Sequence, residues 1–130
     1  MASVSLTVHV FVRQDGETSF LDAPEGWMDL AGFERWRTEV WGNAAVRELG
    51  ARFFPILAED NLWVEPEEVL QFAGECARLS DNLSVIAPFP YPPWPDATHL
   101  MVMDAVASRL AHIQIAVGRA LGVNGGIVIW

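Results

Sequence analysis

The chain opens with a period-2 pattern. Val4, Leu6, Val8, Val10 and Val12 share one parity, and Ser5, Thr7, His9 and Phe11 share the other. Such alternation predicts a strand over 4–12 with one buried face. Arg13-Gln-Asp-Gly-Glu supplies the turn chemistry that ends it. Phe20 and Leu21 extend a second short strand before Pro24-Glu-Gly breaks the chain. From Asp29 as cap, Leu30, Phe33, Trp36 and Val40 follow helical spacing to about Trp41, with Arg35 and Glu39 four apart outside. Gly42-Asn43 interrupts the pattern, and Asn43 is placed to cap a short helix, Ala44 to Leu49, stopped by Gly50.

The middle of the chain has an apolar opening at Phe53-Phe-Pro-Ile-Leu, a polar turn at Glu59-Asp-Asn and a short strand, Leu62-Trp-Val. Pro66 fits the first turn of a helix, where its missing N–H costs nothing, and Glu65, Glu67 and Glu68 complement the positive end. The core face of that helix is Val69, Phe72, Ala73, Cys76 and Leu79, with an end near Asp81-Asn82. Leu83-Ser-Val-Ile-Ala reads as a short strand. Pro88-Phe-Pro-Tyr-Pro-Pro-Trp-Pro then holds five prolines in eight residues, which predicts an extended, stiff segment. The bonds Tyr91–Pro92 and Trp94–Pro95 are candidates for cis geometry.

The stretch Ala97 to Val123 is the longest apolar-periodic run. Leu100, Met103, Val106, Ala107, Leu110, Ala111, Ile113, Val117 and Leu121 fall on one broad side, and Asp104, Ser108, Arg109, His112 and Arg119 on the other. Asp96 is the candidate N-cap and Gly122 the candidate stop. A helix apolar over more than half its circumference predicts a central packing element. The final Gly-Gly-Ile-Val-Ile-Trp reads as a buried strand. Strands at both ends pair most simply in one sheet, with three to four helices packed on it. The expectation is therefore one α+β domain over 1–130, with α/β as the alternative.

Composition narrows the function classes. A formal net charge of −9 repels phosphates and anionic membrane surfaces, so nucleic acid and membrane are not expected as partners. Asp104, Arg109, His112 and Arg119 would each be costly in lipid if the long helix spanned a bilayer. Cys76 has no second cysteine to pair with, and the first residues lack the basic start and apolar run of a signal peptide. Both point to a reducing cytoplasm.

Candidate chemistry is sparse. Glu59, Asp60, Glu65, Glu67 and Glu68 form the densest charge, which reads as a docking face for a basic partner or as an N-cap region beside a solvated turn. Their spacing fits no EF-hand loop, and no metal or other cofactor is expected. Asp104, Ser108 and His112 have the residue types of a catalytic triad, but on one helix Ser108 sits between the other two, where the His should be. His9 and His99 are isolated, and Cys76 lies on an apolar helix face, the setting of an inert thiol. Gln114 falls within the apolar side of the long helix and would need partners there. Phe89, Tyr91 and Trp94, interleaved with prolines, read either as a rigid recognition loop or as a strap packed on the core. No phosphate-cradling loop, nucleophile elbow or zinc spacing is present.

Two stretches together carry a family resemblance. Phe54-Pro-Ile-Leu-Ala-Glu-Asp-Asn-Leu-Trp-Val-Glu-Pro-Glu-Glu leads into an amphipathic helix, and the chain closes Gly-Gly-Ile-Val-Ile-Trp. The pairing resembles small acidic bacterial proteins encoded beside polymorphic or contact-dependent toxins, many of which serve as immunity proteins. The resemblance implies a cytoplasmic, non-catalytic binder that masks a toxin domain; it transfers no individual residue. The expectation is thus a binding protein for a protein partner, with Glu59, Asp60, Glu65, Glu67, Glu68, Phe89, Tyr91 and Trp94 as contact candidates. The alternatives are a small-molecule binder or minor enzyme with an aromatic-lined pocket, and a homodimer joined by its aromatics.

Overall fold

A computed structural model describes residues 5–130. Val4, the first residue of the expected strand, lies outside them. Five strands form one sheet: β1 (Ser5–Gln14), β2 (Glu17–Phe20), β3 (Leu30–Phe33), β4 (Leu62–Val64) and β5 (Gly126–Ile129). The order is β2-β1-β5-β4, and β3 pairs with the first half of β1. Every pairing is antiparallel, so the domain is α+β, not α/β. The chain's first described strand and its last are neighbours, with Val8 opposite Ile129 and Phe11 opposite Gly126.

Alternation along the strands divides the sheet into two faces. Leu6, Val8 and Val10 point inward with Leu62, Val64, Ile127 and Ile129, all buried. Four helices accompany the sheet: α1 (Ala44–Glu48), α2 (Val69–Ser80), α3 (Leu83–Ile86) and α4 (His99–Val123). The central one is α4, which packs against β1, β3 and β5 of the sheet and against α2. Its buried stripe is Val102, Val106, Leu110, Ile113, Ala116, Val117 and Ala120, roughly a third of the circumference at about 100° per residue. The broad apolar side expected from sequence is therefore only partly buried; Leu100 is 68% exposed and Leu121 42%. By length and composition alone α4 could cross a bilayer.

The ends of α4 fall elsewhere than expected. Thr98, not Asp96, caps it, its Oγ1 accepting the Met101 N–H at 3.2 Å. The helix passes through Gly122 and stops at Asn124, which adopts the left-handed conformation at φ 54°, one that Asn tolerates better than most residues. By contrast α2 follows its predicted face, burying Val69, Phe72, Cys76 and Leu79, and it follows a single turn, Pro66–Glu68, with Pro in its first position. Asn43 caps α1 as expected, accepting the Val46 N–H.

Four expectations fail. No helix runs from Asp29 to Trp41: residues 30–33 are β3, and only Arg37–Trp41 coil, in one wide turn. Gly32 sits at φ +122°, outside helical space, and a Cβ there would strike Trp36. With the helix broken, Phe33 is exposed while Trp36, Val40 and Trp41 still reach the core. The segment Leu83–Ile86 is a helical turn, closed by the Ala87 N–H on the Leu83 carbonyl, and not a strand. The Pro-rich segment is not extended. It makes two successive turns, with Trp94 N–H on the Tyr91 carbonyl and Ala97 N–H on the Trp94 carbonyl. Pro92 and Pro95 each take the second position of a turn, for which the fixed φ of proline is suited. The cis bond is Phe89–Pro90 rather than either bond anticipated.

An aromatic column runs through the core. Phe33, Trp36, Trp41, Phe54, Phe72 and Phe53 meet in sequence, with ring centroids 4.8–6.0 Å apart. The two tryptophans have their indole N–H groups satisfied, Trp41 by the Ala31 carbonyl and Trp36 by the Tyr91 hydroxyl. At the Phe53 end of the column the Glu75 carboxylate is buried. It accepts the backbone N–H groups of Arg52, Phe53 and Phe54. This one side chain supplies the acceptors for the start of a short 3-10 turn, Phe54–Ala58, that has no side-chain cap of its own.

Candidate functional site

The face of the sheet turned away from α4 is aromatic. Antiparallel pairing puts Phe11 opposite Phe20 and opposite Gly126, so the Phe11 ring lies over a residue with no side chain. A Cβ on Gly126 would come within 2.4 Å of that ring and of the Val64 carbonyl oxygen. Trp63 sits opposite Val128, and Trp130 exchanges backbone hydrogen bonds with Thr7. The rings then meet one another: Phe11–Trp63 at 5.3 Å, Phe20–Trp130 at 5.2 Å and Trp63–Trp130 at 5.5 Å. Val128 is sealed beneath them, yet Phe20, Trp63 and Trp130 remain 46%, 38% and 37% exposed. Arg13 lies over the Phe11 ring and pairs with Glu65. Tilted and edge-to-face ring contacts of this kind hold large side chains in fixed positions without covering them.

A second concave surface lies where β3, the Pro-rich turns and α4 meet. It is a cleft of about 360 Å³ with Phe33, Tyr91, Trp94 and Ala105 as apolar walls, and Arg35 and Arg109 also line it. Tyr91 itself is nearly buried. Its hydroxyl accepts from Trp36 and donates to Glu39, whose other oxygen takes Arg35 Nε at 3.2 Å. Burial first, and then the Glu39 carboxylate, push the Tyr91 hydroxyl above its ordinary pKa. A shallower groove continues past Arg35 and Tyr91 toward Asn43 and Pro88.

The residues singled out from sequence are thus dispersed. Glu65 and Glu68 form a capping box, and each also meets an arginine: Glu65 meets Arg13, and Glu68 meets Arg52 at 2.7 Å. Asp60 accepts the Asn61 N–H at 2.7 Å. The side chains of Glu59 and Glu67 are exposed and, among the described residues, without a hydrogen-bond partner or counter-ion. Of the Pro-segment aromatics, Tyr91 packs inward, Trp94 walls the cleft, and Phe89 stacks on His99 with centroids 5.3 Å apart. The segment is therefore in part a strap packed on the core, through Tyr91, and in part exposed surface, through Phe89 and Trp94.

Of the remaining titratable candidates, His112 and His9 hold hydrogen bonds, whereas His99 Nε2 is buried with none. His112 Nδ1 lies 2.8 Å from the Leu30 carbonyl and ties α4 to β3, while Asp104 and Ser108 face solvent. His9 Nε2 meets Thr7 Oγ1 at 3.1 Å. The Cys76 thiol is fully buried, and burial, then the adjacent Glu75 carboxylate, drive its pKa far up, away from the thiolate. Gln114 is half-buried. Among the described residues no three His, Cys, Asp or Glu side chains gather to hold a metal ion.

Sequence reasoning passed over the outer sheet face. Its signal was present in Phe11 at a solvent-parity position of β1, in Trp63 centred in a three-residue strand, and in Trp130 one residue past β5. Only the strand order brings those positions together. No family model, curated protein or solved structure matches the chain.

Proposed function

We propose that the protein is a non-catalytic binding domain that engages a protein partner through the outer face of its sheet. The observation that carries the reading is the mutually packed layer of Phe11, Phe20, Trp63 and Trp130, three of them more than a third exposed. Contiguous exposed aromatics are what protein interfaces concentrate at their energetic centres. Their ring contacts fix their rotamers before binding, which lowers the ordering cost. The Arg13–Glu65 pair supplies a polar edge. The net charge of −9 favours a basic partner and speeds its approach. A basic toxin domain, neutralised in the cytoplasm, is the concrete partner that the immunity-type resemblance brings to this reading.

The test is titration calorimetry against the purified product of the adjacent reading frame. Saturable binding is expected, weakened at least tenfold by Trp63→Ala or Trp130→Ala with an unchanged circular dichroism spectrum. Binding that neither substitution alters would remove the sheet face from the account. Sedimentation of the chain alone is the companion measurement. A dimer abolished by Trp63→Ala would assign the face to a second copy and overturn the heterologous partner.

A further inference from the structure

The structure assigns the cleft between β3, the Pro-rich turns and α4 to a small monocarboxylic acid with an aromatic or branched apolar body. Its volume of about 360 Å³ lies within the range of small-molecule sites. The walls are Phe33, Tyr91 and Trp94, with Ala105 and Arg109 contributed by α4.

Charge decides the class of ligand. The chain carries 17 acidic residues against 8 arginines, yet the cleft is bordered by two arginines and no carboxylate. Arg35 is held by Glu39. Arg109 is different: among the described residues its guanidinium has no hydrogen bond, ion pair or ring partner. Its helical neighbours at three and four residues are Ala105, Val106, His112 and Ile113, so no acid can reach it along α4. The other seven arginines each have a hydrogen bond or ion pair.

A single free guanidinium beside aromatic walls is complementary to a planar monoanion. It can fork onto both oxygens of a carboxylate. A ligand body laid on the rings would displace water from them and strengthen that pairing. One uncompensated positive charge matches one negative charge, which favours a carboxylate over a phosphate dianion. The ligand body would lie against Trp94 and Phe33, both about half-exposed without it.

The probe is 3-phenylpropanoate, followed by nitrogen-15 amide shifts and tryptophan fluorescence, with 3-phenylpropanamide as the neutral isostere. Saturable shifts around Trp94, Ala105 and Arg109 are expected, with the amide at least tenfold weaker. Arg109→Gln should weaken the acid at least tenfold, Arg109→Lys less, and Arg47→Gln not at all. Ala105→Leu, which fills the wall without touching charge, should weaken acid and amide alike. Equal binding of acid and amide, indifference to Arg109→Gln, tighter binding of phenyl phosphate, or no saturable shift would each overturn the assignment. The outer sheet face plays no part in this test, so the two readings fail separately.

Discussion

The hydroxyl of Tyr91 donates to Glu39 Oε2 across 2.7 Å while it accepts the Trp36 indole N–H at 3.2 Å. One phenol thereby fastens the Pro-rich turns to the Arg37–Trp41 turn and satisfies a buried tryptophan. Tyr91→Phe removes the oxygen and leaves Trp36 Nε1 without its acceptor in the interior. A destabilisation of about 1–3 kcal/mol is expected from a buried donor left unmade, read as a lower urea midpoint at unchanged slope. In a Trp36→Phe background the same substitution should cost clearly less, because the orphaned donor is already gone. Equal losses in both backgrounds would show that the Trp36 bond contributes nothing.

Alkaline pH should destabilise the fold in two stages. Cys76 and Tyr91 are the single thiol and single phenol of a chain without lysine, and both pKa values are raised by burial. In the unfolded chain the thiol ionises at about pH 8.5 and the phenol at about pH 10. Above those values the native state holds protons that the unfolded state has released. Stability is therefore complete below about pH 8 and falls as pH rises. Cys76→Ala should flatten the first part of the decline and Tyr91→Phe the second, in urea midpoints measured from pH 7 to pH 11. A midpoint constant across that range would refute the assignment of either group as a buried acid.

Glu75 provides the sharpest test of an internal cap. Its carboxylate accepts three successive backbone N–H groups, those of Arg52, Phe53 and Phe54, from within the core. Glu75→Gln keeps the shape but turns one acceptor into a donor facing a donor. A loss of about 2–3 kcal/mol is expected, together with faster amide exchange at Phe53 and Phe54. Unchanged exchange there would mean that the turn holds itself.

How far the sequence disclosed this fold depended on how local the determinant was. Residues 5–12, Asn43, Pro66 and the stripe Val69–Leu79 carry their instructions in spacing and capping chemistry, and they fold as read. Residues 30–33 do not. Their helical spacing is outweighed by the φ of Gly32 and by pairing with the start of β1, a partner some 25 positions away. The Pro-rich segment misled because proline rigidity suits a turn as well as an extended run. Of the candidate site, Tyr91 and Trp94 were legible as aromatics on a stiff loop. Arg109 was not, since its significance lies in the absence of a counter-ion among the described residues, which spacing along one helix only begins to indicate. The aromatic sheet face needed β1, β2, β4 and β5 side by side.

The acidic residues offer a way to separate structure from partner binding. Glu65 and Glu68 cap the turn that leads into α2 and meet Arg13 and Arg52, whereas Glu59 and Glu67 extend into solvent. Glu65→Lys or Glu68→Lys breaks the capping box and sets like charges together, so a loss of about 1–2 kcal/mol is expected. Glu59→Lys and Glu67→Lys should stay within about 0.5 kcal/mol of the parent. Any change those two produce in association with a basic partner therefore reports on the charge alone. If acidity steers the partner, the double variant Glu59→Lys with Glu67→Lys should slow association several-fold at low salt and converge with the parent at high salt, where screening removes the field. A stopped-flow comparison at two ionic strengths decides it: identical rates at low salt would leave the aromatic face to act without electrostatic help.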